Sequence, residues 1–282
     1  MGDRIGQSRH SPGNTFKNAF SYPRDMQTVI LCGGLGTRFK EQTEFLPKPL
    51  ARVGTMPILW HIMKIYSQFG HKDFVLCLGY KGEMIKDYFL NYKWLANDFT
   101  LKLGPGHEHM IHTNTGEEDW TITFADTGQK MLTASRLRQV KKYIKDDNFL
   151  LTYGDGVADV DLKAVIEHHK KSGKIATITG VHPRSKYGIV RTKEDGLVYE
   201  FAEKPVLNDL ISCGFMVLNK RIFDYLSEDN NCMLEEIFPI LAKDNQLTLY
   251  KHHGFFFPVD TQRDFEEINK IWESDNVPWK VW

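Results

Sequence analysis

The chain has 282 residues, 41% of them hydrophobic, enough to bury a core in one large α/β domain or two small ones. Lys and Arg together number 36, as do Asp and Glu, so there is no overall field to draw in nucleic acid or an anionic membrane surface, and neither is expected as a partner. Cys32, Cys77, Cys213 and Cys232 fall singly inside apolar stretches, with no zinc-ligand spacing, which predicts reduced, packed thiols and a cytoplasmic protein.

Residues 1–25 mix Arg, His, Ser, Pro, Gly and Asn without the apolar core of a secretion signal, and are read as a flexible N-terminal extension to a single domain over 26–282. The first strand is expected at 28–32, a β-branched run ending at a double glycine. Helical spacing of Ile58, Leu59, Ile62 and Ile65 behind Pro57 predicts a helix over 57–69 that stops at Gly70. A strand at 73–78 and a helix at 81–88 follow. After an irregular stretch rich in Gly and His come a helix at 133–144, a strand at 149–153, a helix at 161–171 and a strand at 175–181. Strands and helices alternating in this way predict right-handed crossovers and a mainly parallel, Rossmann-like sheet flanked by helices. Three short, closely spaced segments at 188–192, 197–201 and 214–218 suit an antiparallel extension, and helices near 234–241 and 263–272 finish the chain.

A glycine loop directly after the first strand of such a sheet is the common place for phosphates, because a backbone without Cβ atoms can bring its N–H groups against them. The loop Gly33, Gly34, Leu35, Gly36, Thr37, Arg38 is neither a P-loop, whose sixth position must be glycine where this chain has Arg38, nor a dinucleotide fingerprint, whose third glycine is replaced by Phe39. Lys48 follows ten residues after Arg38, framed by Pro47 and Pro49. A fork and a point charge on a rigid segment suit a polyphosphate clamp, although a tight turn followed by a solvated loop would also fit. Asp155, between two glycines after the strand at 149–153, belongs at the carboxyl edge of the sheet, where it could bind a hard cation or make an Asx turn. Asp260 could supply a second carboxylate or cap the next helix. Catalysis in such a cleft falls to Arg38, Lys48 and Asp155.

His107, His109 and His112 read as a solvated loop, Trp60 and His61 as packing residues of a core helix, and Trp272, Trp279 and Trp282 as an apolar C-terminus that docks on the body or on another subunit.

The segments Leu31 to Arg38, Pro47 to Pro49, Gly154 to Gly156, Glu203 to Pro205 and Val259 to Thr261 stand in the order typical of sugar nucleotidyltransferases. Residues 26–282 resemble that family, and within it most of all the glucose-1-phosphate cytidylyltransferases, through Pro57 to Lys64, Gly79 to Gly82, Leu151 to Asp159 and Pro278 to Lys280. The resemblance implies the nucleotide-diphospho-sugar transferase fold, with a nucleotide-binding part at about 26–160 and a sugar-binding part at about 161–282. It implies CTP and a sugar 1-phosphate as partners, Mg²⁺ as cofactor, pyrophosphate as product and self-association. Carried over position by position, it gives a nucleotide site of Leu31, Gly33, Gly34, Leu35, Gly36, Thr37, Arg38, Lys48, Thr127, Arg136 and Gly154. The sugar-phosphate site becomes Tyr187, Gly188, Glu203, Lys204, Ser212 and Gly214, and the metal pair Asp155 and Asp260. UTP or dTTP in place of CTP, another phosphorylated acceptor, and a silent nucleotide-sugar-binding regulator are the alternatives. Where the cytidylyltransferases read Asn-Gly-Gly-Phe, this chain has Ser212, Cys213, Gly214 and Phe215, a change expected to re-pattern the sugar pocket.

Overall fold

Short apolar runs buried on both faces, each followed by an amphipathic helix, dictate a layered α/β arrangement. The computed structural model describes residues 26–34, 44–106, 108–112, 118–227 and 231–282. Strand β1 (Thr28–Leu31) precedes a 3-10 turn at Lys48–Leu50, the ribbon β2 (Arg52–Val53) and β3 (Met56–Pro57), α1 (Ile58–Gln68), β4 (Asp73–Leu78), α2 (Gly82–Leu90) and α3 (Tyr92–Leu95). The middle holds β5 (Phe99–Leu101), β6 (His109–Ile111), β7 (Thr121–Asp126), α4 (Thr133–Gln139), β8 (Asn148–Tyr153), β9 (Gly156–Ala158) and α5 (Leu162–Ser172). Then come β10 (Ala176–Val181), β11 (Ile189–Thr192), β12 (Val198–Ala202), β13 (Ile211–Asn219), α6 (Leu234–Lys243), β14 (Leu247–His252), β15 (Phe256–Pro258) and α7 (Gln262–Trp272).

The main sheet has seven strands in the order β14-β10-β13-β8-β1-β4-β7. Its pairs are parallel except those of β13, which runs against both β10 and β8. One face packs Ile30, Leu150 and Phe215 against α1, α5 and α7, and the other packs Val29, Leu151 and Met216 against α4 and α6. The antiparallel extension is therefore smaller than expected: β11 and β12 form a separate hairpin, while the segment at 214–218 is a central strand. The cause lies in β13 itself, where Cys213 to Leu218 are all buried, the pattern of a strand covered on both faces. The helix expected over 133–144 ends at Gln139, because a 3-10 turn follows at Lys141–Tyr143. The stretch read as irregular contains β7, an edge strand of the main sheet, and the small β5–β6 hairpin. His109 and His112 are exposed there, as expected, and His107 lies outside the described residues.

The C-terminal segment docks on the body. Trp279 is fully buried, its indole donates to His61 Nδ1 at 3.5 Å, and His61 Nε2 donates to the Val53 carbonyl at 2.9 Å. The rings of His61 and Trp272 lie 4.7 Å apart. Burial holds the His61 pKa down at about 4, and it does the same for His169, which bonds Thr177 and Asn148. All four cysteines are free and buried. Among the described residues no helix is long and apolar enough to cross a membrane.

Both histidines are neutral in the folded state down to about pH 4, whereas in the unfolded chain they take up protons near pH 6.5. The unfolded state binds more protons between those values, so stability falls as the pH drops from 6.5 towards 4, by on the order of 1–3 kcal/mol per histidine. Urea unfolding from pH 7.5 to 4.5 checks this: His169→Gln should flatten the slope over that window, and an unaltered slope would remove His169 from the account.

Candidate active site

Four strands deliver the site to the carboxyl edge of the sheet. After β1, the Cys32 amide donates to Cys77 O at 3.0 Å and the chain passes into Gly33 and Gly34. A Cβ on Gly33 would lie 2.2 Å from Arg136 Nη1, and one on Gly79 would lie 2.6 Å from it, so only glycine at both positions leaves room for the guanidinium between them. Arg136 is 1% exposed. Its Nη1 donates to Leu78 O, Thr127 Oγ1 and Gly128 O at 3.0, 2.8 and 2.8 Å, and its Nη2 to Gln129 O at 3.3 Å. Burial lowers its pKa, yet an arginine stays charged, and among the described residues no carboxylate pairs with it. The result is positive potential on the floor of the cleft.

Strand β8 ends at Tyr153, and Gly154 and Asp155 follow. The Gly154 amide donates to Leu31 O at 3.1 Å, which fixes this turn against β1. Asp260 comes from the far end of the chain. It is brought in by the β9–β15 ladder, where Gly156 faces Pro258 and Val259 N donates to Asp155 O at 2.9 Å. A reciprocal cap between Thr261 and Asp264 then starts α7, with Asp264 Oδ2 also accepting from the Asp260 amide at 3.1 Å. Between the two carboxylates stands Lys48, fixed on its 3-10 turn by Leu50 N to Pro47 O at 2.8 Å. Its ammonium donates to Asp155 Oδ2 at 2.7 Å and to Asp260 Oδ1 at 2.8 Å. Burial pushes the Lys48 pKa down, but the two carboxylates outweigh it and leave the pKa above the ordinary lysine value.

These residues line a cavity of about 240 Å³ walled by Leu31, Cys32, Gly33, Gly34, Lys48, Pro49, Thr133, Arg136, Tyr153, Gly154, Asp155 and Asp260. Of the expected nucleotide residues, Leu31, Gly33, Gly34, Lys48, Arg136 and Gly154 are on that wall. Thr127 lies behind it as the 1% exposed partner of Arg136. Leu35, Gly36, Thr37 and Arg38 fall outside the described residues.

Of the expected sugar-phosphate residues, Gly188 and Glu203 come together. Segments 183–188 and 203–207 run side by side through Ser185 N to Pro205 O at 2.8 Å and Leu207 N to Pro183 O at 2.9 Å. Glu203 thereby packs on Gly188. Lys186 reaches Asp264 Oδ1 at 3.5 Å and ties these segments to the first turn of α7, beside Asp260. Tyr187, Gly188, Glu203, Lys204 and Ser212 are not on the cavity wall. Gly214, at φ +79, carries a bulge in β13, and a Cβ there would come 2.6 Å from the Tyr153 ring. Cys213 joins the core beside Phe215 and is not on the cavity wall.

Tyr153, Thr133, Cys32 and Pro49 are the cavity residues that sequence reasoning missed. For Tyr153 the signal was present: an aromatic residue closing a strand two positions before the aspartate.

Residues 27–273 match the nucleotidyl transferase family, and the chain belongs to it. Among its relatives is the probable glucose-1-phosphate cytidylyltransferase of Bacillus subtilis (strain 168), 48% identical over 91% of this chain and 100% of that protein. The glucose-1-phosphate cytidylyltransferase of Salmonella typhimurium is 44% identical over 91% of this chain and the whole of that one. In fold, the chain is similar to HddC from Yersinia pseudotuberculosis complexed with GMP-PN, with a TM-score of 0.64, 21% identity, and coverage of 88% of this chain and 100% of HddC. UDP-glucose pyrophosphorylase complexed with UDP-glucose gives 0.62 and 17%, covering 88% of this chain and 98% of that one.

Removing the ammonium leaves two carboxylates facing each other. Lys48→Met is expected to lower stability by about 1–2 kcal/mol, a range discounted for the 35% exposure of both aspartates. Adding Asp155→Asn to Lys48→Met should recover part of the loss in urea unfolding, because it removes the repulsion; strictly additive losses would refute the bridge.

Proposed function

We propose that this chain transfers the cytidylyl group of CTP onto the phosphate of glucose 1-phosphate, releasing pyrophosphate, in the cytoplasm and with Mg²⁺. The reading is carried by the convergence of Asp155, Asp260 and Lys48 on the cavity that opens at Gly33 and Gly34. The substrate pair is supported by what the relatives at 48% and 44% identity are called. The four free, buried cysteines suit a reducing compartment.

The donor set fits the metal. Two carboxylate oxygens already meet at one cation, the Lys48 ammonium, and Mg²⁺ takes only one or two carboxylates beside waters and substrate phosphates. Asp155 and Asp260 would hold it, and when bound it supplies charge neutralisation and orientation of the polyphosphate. Lys48, relieved of the carboxylates, is then available to phosphate oxygens. The nucleophile is a phosphate oxygen of the sugar 1-phosphate, mostly dianionic at neutral pH because its second pKa is about 6. It forms a bond to the α-phosphorus as the bond from that phosphorus to the bridging oxygen breaks, and pyrophosphate leaves with the electron pair. No proton has to be removed, so the chain's work is to align two anions and stabilise the leaving charge.

In this reading Gly33, Gly34, Leu35, Gly36, Thr37, Arg38 and Lys48 hold the triphosphate, with Leu31, Thr127, Arg136 and Gly154 around the nucleoside, in a part spanning about 26–160. The sugar phosphate falls to Tyr187, Gly188, Glu203, Lys204, Ser212 and Gly214, in a part spanning about 161–282. Backbone strain supports Lys204: it sits at φ +47 directly before Pro205, where a residue with a Cβ is disfavoured, and such strain collects at binding sites. The exposed Tyr199 and Phe201 of the β11–β12 hairpin support self-association, which sedimentation would detect.

Pyrophosphate release from CTP, UTP and dTTP against a panel of sugar 1-phosphates tests the assignment. CTP with glucose 1-phosphate should give the highest kcat/KM, and absence of turnover with every pair would sink it. Asp155→Asn should lower kcat at least ~100-fold with an unchanged circular dichroism spectrum.

A further inference from the structure

Tyr153 lines the cavity on the side of β8 that faces β13, next to Gly154 and Asp155. Its ring is held in place by Gly214, where no side chain fits. Its hydroxyl donates to Glu235 Oε1. Glu235 belongs to the first turn of α6, where unpaired amides and the helix dipole favour a carboxylate. The other carboxylate oxygen lies 3.4 Å from Thr133 Oγ1, and that hydroxyl accepts from Leu234 N at 2.8 Å, so its proton is directed to Glu235. Thr133 also lines the cavity.

A hydroxyl has one proton to donate. In Tyr153 that proton goes to Glu235, and Thr133 Oγ1, which already accepts from Leu234 N, is turned the same way, so neither hydroxyl has a proton left to offer a ligand. A ligand group resting here has to be a donor. The carboxylate behind the two hydroxyls adds a negative field against any anionic substituent at the same place.

Resting on the reaction proposed above, we propose that Glu235, acting through Tyr153, is a specificity determinant for the acceptor: it admits a neutral ring bearing hydroxyl donors and rejects the same ring carrying a carboxylate. Glu235 is a positioning residue here. An amide at position 235 can donate to the phenol oxygen, which frees the phenol proton to turn towards the cavity and removes the repelling charge.

The test is steady-state kinetics of the full chain and of Glu235→Gln and Tyr153→Phe, with glucose 1-phosphate and glucuronic acid 1-phosphate as acceptors. Tyr153→Phe should raise KM for glucose 1-phosphate about tenfold, the effect of one hydrogen bond, with kcat and the KM for CTP within about twofold. Glu235→Gln should raise the glucuronate-to-glucose ratio of kcat/KM at least about tenfold. An unchanged ratio in a folded Glu235→Gln enzyme overturns the proposal, as does a change confined to the KM for CTP, which would assign the pair to the nucleotide. Glu235 is exposed, so folding of its variant is expected, and circular dichroism verifies it. Wild-type turnover is read separately. If the enzyme prefers another sugar 1-phosphate, the same variants are compared on that sugar and its carboxylated counterpart.

Discussion

The ammonium of Lys48 sits between Asp155 and Asp260, partners separated from it by 107 and 212 residues, and the rest of the molecule is organised to hold that contact. Two carboxylates directed at one point repel, and a single cation between them turns repulsion into attraction on both sides. Each member therefore needs a rigid support. Lys48 has a turn framed by prolines and Asp155 the end of a strand buried on both faces, while Asp260 relies on the β9–β15 ladder and the capped first turn of α7. The buried C-terminal tryptophan belongs to the same logic, since it packs with His61 and Trp272 and so anchors both α1 and α7.

The buried arginine does for the opposite wall what the lysine does for this one. Arg136 links the ends of β4 and β7 through four acceptors, and its guanidinium occupies the gap that Gly33 and Gly79 leave open. The first glycine of the loop is thus fixed by packing as well as by any need to approach phosphate. That second constraint explains why a glycine in a different segment, at position 79, belongs to the same site.

Much of this was legible in the sequence because its cause is local. A β-branched run before a double glycine, a proline-framed lysine and an aspartate between glycines each state their conformation within a few residues. The parallel order of the sheet followed from alternation of strands with helices. What was hidden is non-local. The run Cys213 to Leu218 is apolar throughout, as a strand covered on both faces requires, but its place between β10 and β8 depends on pairing with segments distant in the chain. The short ladder joining Asp155 to Asp260 pairs three residues with three others about a hundred positions on, too few to show a pattern. Arg136 shows the limit from the other side, since the family resemblance assigned it to the nucleotide and only its four acceptors reveal the support it gives to the fold.

The two sides of the cleft differ in how they are made. On the wall assigned to the nucleotide in the proposed reading, Gly33, Gly79 and Arg136 constrain one another, so a change at one displaces the others, and Lys48 is held between two carboxylates. The wall proposed for the acceptor is built from a bulge, an exposed hairpin whose Phe201 is 64% accessible, and hydroxyls bonded to an exposed carboxylate. Substitutions on the exposed face of the hairpin meet few packing constraints, whereas Gly214 is fixed by the Tyr153 ring. In that reading the transfer chemistry can persist while the acceptor changes, because the residues proposed to position phosphates and cation are fixed from several sides and the exposed hairpin is not.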